Sequence, residues 1–175
     1  MASDQPADRE PGRPADRRDD RGLGRPTDRE PDLLAEAVEL SRRCPPSPGA
    51  YAVGVVLVAG GTRVEGWSRR TGPQDHAEEV ALAALAATGT DPAGGTLYSS
   101  LEPCSDRRSD RPTCTELIVA AGIARVVFAL REPPLFADCE GAELLAAAGI
   151  EVVERPELAA AVLEINARLL DRDAG

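Results

Sequence analysis

Lysine is absent from this chain: arginine supplies all 20 positive charges, set against 30 acidic residues, for a net charge of −10 at pH 7. That balance excludes a general nucleic-acid coat, which needs the opposite sign. A local arginine pocket for a small anion, a nucleotide included, stays open. No apolar run approaches the roughly 20 residues of a bilayer-spanning helix, so no membrane partner is expected. The N-terminus is charged and poor in apolar residues, unlike a secretory signal. Four cysteines in 175 residues are too few for a disulfide scaffold. A cytoplasmic setting follows as the expectation, and thiols there serve as metal ligands or packed side chains.

What remains suits one domain with a tail: 42% hydrophobic and 29% charged residues are enough for a core of ordinary size. Residues 1–31 hold eight acids, seven arginines and repeated phrases, Asp8-Arg9-Glu10-Pro11 and Asp28-Arg29-Glu30-Pro31 among them. A segment this polar buries too little apolar area to offset its ordering entropy, so it reads as a disordered low-complexity tail. The domain is expected over 32–175. Asp32 is placed to cap a helix that ends before Pro45. Residues 52–58 form a continuous apolar run suited to a buried strand. Gly60-Gly61 is a turn, and 62–67 the returning antiparallel strand. Helices are expected at 75–87, 115–121, 141–148 and 156–170, with strands at 96–100, 125–130 and 150–153. After the opening hairpin, strands and helices alternate. This predicts an α/β fold: three α/β/α layers around a five-stranded mixed sheet, the fifth strand parallel to the fourth.

The single histidine, His76, stands in Asp75-His76-Ala77-Glu78-Glu79. Glu102-Pro103-Cys104 follows a strand, and Cys114 opens a helix. Taken singly, each is ordinary; a free cysteine is a common packed residue. Together they are specific. Two helix N-termini in neighbouring crossovers point to one spot beyond the strand ends, where open α/β sheets bind ligands, and their partial positive charge favours thiolates. One imidazole and two thiolates make three zinc ligands, His76, Cys104 and Cys114, and leave a fourth position for a water whose pKa the ion lowers. Glu78, two residues from His76, is placed as the proton shuttle and not as a ligand.

His76-Ala77-Glu78, then Pro103-Cys104 and Cys114, resembles the zinc cytidine-deaminase superfamily. Within it, Ser100-Leu101-Glu102-Pro103-Cys104-Ser105 is similar to the riboflavin-pathway pyrimidine deaminase. So are 120–127, 147–152 and the wide gap between the cysteines, where nucleoside and transfer-RNA deaminases have Cys-x-x-Cys. The resemblance covers about 32–154. It implies hydrolytic deamination of a phosphorylated diaminopyrimidinone with release of ammonia, Zn2+ as the cofactor, Glu78 as the proton carrier, and a homodimer or homotetramer. Residues 154–175 are too few for the reductase domain of bifunctional members. The reduction step is therefore expected to belong to another protein.

There are departures. Ala50, in Pro48-Gly49-Ala50-Tyr51, stands near a position where the family carries a substrate-holding asparagine. The loop 105–113 differs and is slightly longer, with Arg107, Arg108 and Arg111 in it. Two readings of those arginines stand: a bidentate phosphate grip, or a solvated loop offset by Asp106 and Asp110. Ala50, Tyr51, Glu102, Ser105, Arg107, Arg108 and Arg111 are the candidate substrate contacts. Glu102 either supports a turn or reads the ring, and Tyr51 or Trp67 either packs or stacks on the pyrimidine. Cys44 and Cys139, the latter after Phe136-Ala137-Asp138, read as ordinary thiols, and Glu79 as a solvated neighbour of Glu78. Two other functions compete: deamination of a cytidine or deoxycytidine compound or an antibiotic-pathway base, and a non-catalytic zinc-stabilised scaffold. The second has no use for Glu78. Nucleic acid is a poor partner for so acidic a surface.

Overall fold

The computed structural model describes residues 30–107, 109–134 and 139–170. Residues 1–29 of the expected tail, Arg108 and the Phe136-Ala137-Asp138 phrase lie outside them. The elements run α1 (Glu30–Ser41), β1 (Gly54–Ala59), β2 (Thr62–Trp67), α2 (Ala77–Ala87), β3 (Thr96–Leu101), α3 (Cys114–Ala120), β4 (Arg125–Leu130), α4 (Gly141–Ala147), β5 (Glu151–Glu154), a 3₁₀ turn at Pro156–Leu158, and α5 (Ala159–Leu170). The expected order holds. Several starts differ from the expected ones, β1 at Gly54 and α2 at Ala77 among them, and two of the shifts have a plain chemical reason. α1 opens at Glu30, ahead of Asp32, because Pro31 is compatible with a first helical turn, where its missing N–H costs nothing. The last helix begins at Ala159, and Pro156 opens a 3₁₀ turn before it.

The sheet order is β2-β1-β3-β4-β5. β1 runs antiparallel to both β2 and β3, while β3–β4 and β4–β5 are parallel. The β1–β2 hairpin closes through Gly60 and Gly61, at φ of 53° and 78°, a pair of left-handed positions that twists the hairpin as the strands require.

Strand side chains alternate between two apolar layers. Val55, Leu57, Leu97, Val126 and Phe128 face α2, α3 and α4, where they meet Ala81, Leu85, Ile118 and Leu145. Val56, Tyr98, Val127 and Ala129 face α1 and α5, where they meet Leu34, Val38, Val162 and Leu169. Burial on both faces explains the unbroken apolar run of β1. Each fully buried Leu or Phe of this core contributes roughly 1.5–3 kcal/mol. α2 lies hard against β2: a Cβ on Gly66 would run into the Ala77 carbonyl oxygen. That close approach fixes the first turn of α2, and with it His76 and Glu78. Among the described residues no helix is long and apolar enough to cross a membrane.

The strand directions bring the end of β2, the start of β1 and the ends of β3 and β4 to one edge of the sheet. α2 and α3 begin at that same edge.

Candidate active site

His76 is the N-cap of α2, with extended backbone. Its N–H donates to the Glu79 carboxylate at 2.8 Å. Cys114 opens α3 behind a capping box, in which Thr113 Oγ1 accepts from the Glu116 N–H and the Thr113 N–H donates to Glu116 Oε2 at 2.8 Å. Cys104 follows β3, and its carbonyl accepts from the Thr115 hydroxyl at 3.1 Å, which ties the Cys104 turn to α3. Three local structures, each set by its own sequence, thus converge.

His76 Nδ1 lies 3.3 Å from Cys114 Sγ and 3.5 Å from Cys104 Sγ. The three ligand atoms lie within 4.8 Å of one another. Metal–sulfur and metal–nitrogen bonds of zinc length place tetrahedral N and S ligands roughly 3.5 Å apart, so the donor set and its spacing fit that ion. Hydrogen bonding with Cys114, reinforced by His76, pulls the Cys104 thiol down to about 4 against the opposing effect of burial. The same coupling, together with burial, pushes Cys114 up. Cys104 is the readier thiolate of the pair. The Cys114 backbone N–H adds to this by donating to Cys104 Sγ at 3.4 Å.

Glu78 is 3% exposed, and the Cys114 thiol donates to its Oε2 at 3.2 Å. Burial raises its carboxyl above the ordinary value, toward the range in which a carboxyl can both hold and release a proton. The four residues open into a cavity of about 310 Å³, near the lower end of small-molecule pockets.

The other expected site residues divide. Ala50, Tyr51, Glu102 and Arg107 line this cavity; Ser105 and Arg111 are not part of its lining. Ser105 Oγ accepts from the Glu140 N–H at 2.8 Å, beside the start of α4. Arg111 pairs with Asp75 and Glu79, both at 2.9 Å. Arg107 is spoken for as well: its guanidinium meets Glu79 at 2.8 Å and donates to the carbonyls of Gln74 and Pro112. Glu79 is therefore not a solvated neighbour but the hub of an ion-pair cluster. Burial works to raise its pKa, and Arg107, the His76 N–H and Arg111 outweigh that and lower it. Glu102 Oε1 accepts from the Ala142 N–H at 2.8 Å and Oε2 from the Glu132 N–H at 3.2 Å. It joins the β3 end to α4 and to the loop after β4. Tyr51 is buried, and its hydroxyl donates to the Pro133 carbonyl at 3.0 Å. Trp67 is no pyrimidine platform here, because the Arg43 and Arg70 guanidinium groups lie 4.2 and 4.1 Å from its ring centre. The Cys44 thiol donates to the Val53 carbonyl, and burial pushes Cys139 up to about 11.

Two charged lining residues escaped the sequence reading. Glu132, half-buried, is raised to about 7 by burial and by the nearby negative charges of Cys104 and Glu78. Its place just past a strand in a parallel pair was the available signal. Arg69 left none: it is the one described non-glycine residue with positive φ, 63°, and nothing in an arginine announces that.

The model of the cytidine and deoxycytidylate deaminase zinc-binding region matches residues 28–130. The diaminohydroxyphosphoribosylamino-pyrimidine deaminase of Schizosaccharomyces pombe is 39% identical, over 71% of this chain and 31% of its own length. The riboflavin biosynthesis protein RibD of Escherichia coli (strain K12) is 37% identical, over 68% of this chain and 32% of its own. Among solved structures, a diaminohydroxyphosphoribosylaminopyrimidine deaminase/5-amino-6-(5-phosphoribosylamino)uracil reductase from Thermotoga maritima is similar with a TM-score of 0.68 and 31% identity, covering 79% of this chain and 39% of that one. The chain spans about a third of the length of the curated relatives it matches. More than half of its residues fall in the matched segment, and the chain belongs to the cytidine and deoxycytidylate deaminase zinc-binding family.

Proposed function

We propose that this chain is a zinc-dependent deaminase that hydrolyses an exocyclic amine from a pyrimidine, the phosphoribosylamino-substituted diaminopyrimidinone of riboflavin synthesis. The observation that carries the chemistry is the buried Glu78 carboxylate, 3.2 Å from Cys114 Sγ, beside a His76/Cys104/Cys114 donor set at tetrahedral spacing. The substrate is supported by the names of the relatives and by the Leu-Glu-Pro-Cys-Ser phrase.

His76, Cys104 and Cys114 would hold the zinc ion, which supplies Lewis-acid activation of water when bound. Glu78 takes the proton that this water gives up and carries it to a ring nitrogen; it then takes the proton of the hydroxyl group added to the ring carbon and passes it to the departing amine. A C–O bond forms, the C–N bond breaks, and nitrogen leaves as ammonia. Glu102 and Tyr51 work through geometry: they tie the loops around the cavity and keep the ring close to Glu78. The reading includes a domain over 32–175, a homodimer or homotetramer and a cytoplasmic setting.

The test is ammonia release by the zinc-loaded protein, with the phosphorylated diaminopyrimidinone run beside cytidine, deoxycytidine and their monophosphates. Turnover of the first alone is expected. Turnover of a cytidine compound instead keeps the residues and discards the substrate.

A further inference from the structure

Three arginines described near the cavity differ in what neutralises them. Arg107 and Arg111 are consumed by Glu79 and Asp75. Arg69, on the cavity wall, has no carboxylate partner among the described residues. Its Nε donates to the Pro45 carbonyl and its Nη1 to the Tyr51 carbonyl, each at 2.9 Å, and both acceptors are neutral. The neighbouring Cys44 thiol is kept protonated by burial and brings no negative charge. A guanidinium group carries five donors, so two hydrogen bonds leave Nη2 without a described partner.

The head group is also held in advance. The Arg69 backbone is left-handed at φ 63°, a conformation that costs a non-glycine residue free energy and persists where surrounding contacts over-determine it. Here the Arg69 N–H donates to the Asp75 carbonyl at 2.8 Å, and the side chain spans two more carbonyls. Three anchors, two from the loop between α1 and β1 and one from Arg69's own loop, thus fix a half-buried, uncompensated cation at the rim of a cavity whose other charges are mostly acidic: Glu78, Glu102, Asp106 and Glu132. Desolvating a charge without a counter-ion is unfavourable. An arriving anion removes that cost, and a preorganised guanidinium group binds it in bidentate fashion.

We infer that Arg69 is the phosphate-selecting residue of the site: it receives the phosphate end of a phosphorylated pyrimidine substrate, in place of the loop arginines Arg107 and Arg111. The inference rests on the deaminase reading for the substrate, but the anion site itself has an independent test.

In the zinc-loaded full chain, Arg69→Gln should raise KM for the phosphorylated diaminopyrimidinone by about ten- to a hundred-fold, the loss of one or two charge-assisted hydrogen bonds. kcat, and KM for the dephosphorylated compound, should stay within a few-fold. Equal losses on both substrates would mark Arg69 as a loop staple alone and overturn the inference. Arg69→Lys keeps the charge and should recover part of the preference for phosphate, which guards against a folding defect in the glutamine variant. Titration with ribose 5-phosphate and with ribose separates this inference from the substrate reading. The wild type should bind the phosphate at least tenfold better, and Arg69→Gln should lose that margin. If no diaminopyrimidinone is turned over yet the margin is present and depends on Arg69, the substrate reading fails and the anion site stands. If turnover is normal and the margin is absent or survives the substitution, the anion site fails alone.

Discussion

At the residue scale, the proposed reactive centre rests on two kinds of group that can be separated experimentally. Glu78 touches Cys114 but is not one of the three residues proposed to hold zinc. Glu78→Gln should therefore keep one zinc per chain by metal analysis while turnover falls about 10²–10⁴-fold, the usual worth of a placed proton carrier. Cys104→Ala, or treatment with a strong chelator, should remove the metal and lower the melting temperature, because three segments lose their common tie. A Glu78→Gln protein with full zinc and wild-type rates would refute the role given to Glu78. These residues were legible in the sequence because their side chains advertise their chemistry and their spacing placed them at helix starts and strand ends. Arg69 and Glu132 were not, since their roles come from a backbone angle and from what surrounds a loop. Arg107 and Arg111 are the opposite case. Their charge was plain in the sequence, but their partners Asp75 and Glu79 belong to another segment.

At the scale of elements, the site is positioned by close packing and by one buried amide. Gly66 lets α2 settle onto β2, and Gly66→Ala should push the first turn of α2 away, destabilising the fold and weakening zinc binding together; denaturant titration and metal competition read the two effects. On the opposite layer Asn166 of α5 is buried. Its Oδ1 accepts from the Ala52 N–H at 2.8 Å, and its Nδ2 donates to the Ala52 and Val162 carbonyls. That pairing across 114 residues holds the segment that carries Ala50 and Tyr51. Asn166→Ala should cost about 1–3 kcal/mol in urea unfolding, because it strands a backbone donor and acceptor, and should raise KM more than it lowers kcat. The elements themselves were readable from apolar periodicity and from Gly and Pro punctuation. Their ends shifted where backbone chemistry tolerates more than one start, as at Pro31 and Pro156. The α5 clamp was invisible because it joins residues far apart in the chain.

For the molecule as a whole, the strand order does the functional work. An antiparallel hairpin placed beside parallel strands brings the start of β1 and the ends of β2, β3 and β4 to one edge, and the cavity lies there. The alternation of strands and helices predicted that edge, since parallel crossovers leave few other arrangements. The net charge of −10 predicted nothing about the cavity, whose wall nonetheless carries an arginine without a described carboxylate partner. The central proposal is that this fold and these four residues deaminate a phosphorylated diaminopyrimidinone. Ammonia release from that compound should be followed for the zinc-loaded wild type and for Glu78→Gln, with zinc content determined on the same samples. Steady release by the wild type is expected, with near-silence from a variant that still holds its zinc. A folded, zinc-replete wild type that leaves this compound untouched while deaminating deoxycytidylate would prove the substrate assignment wrong.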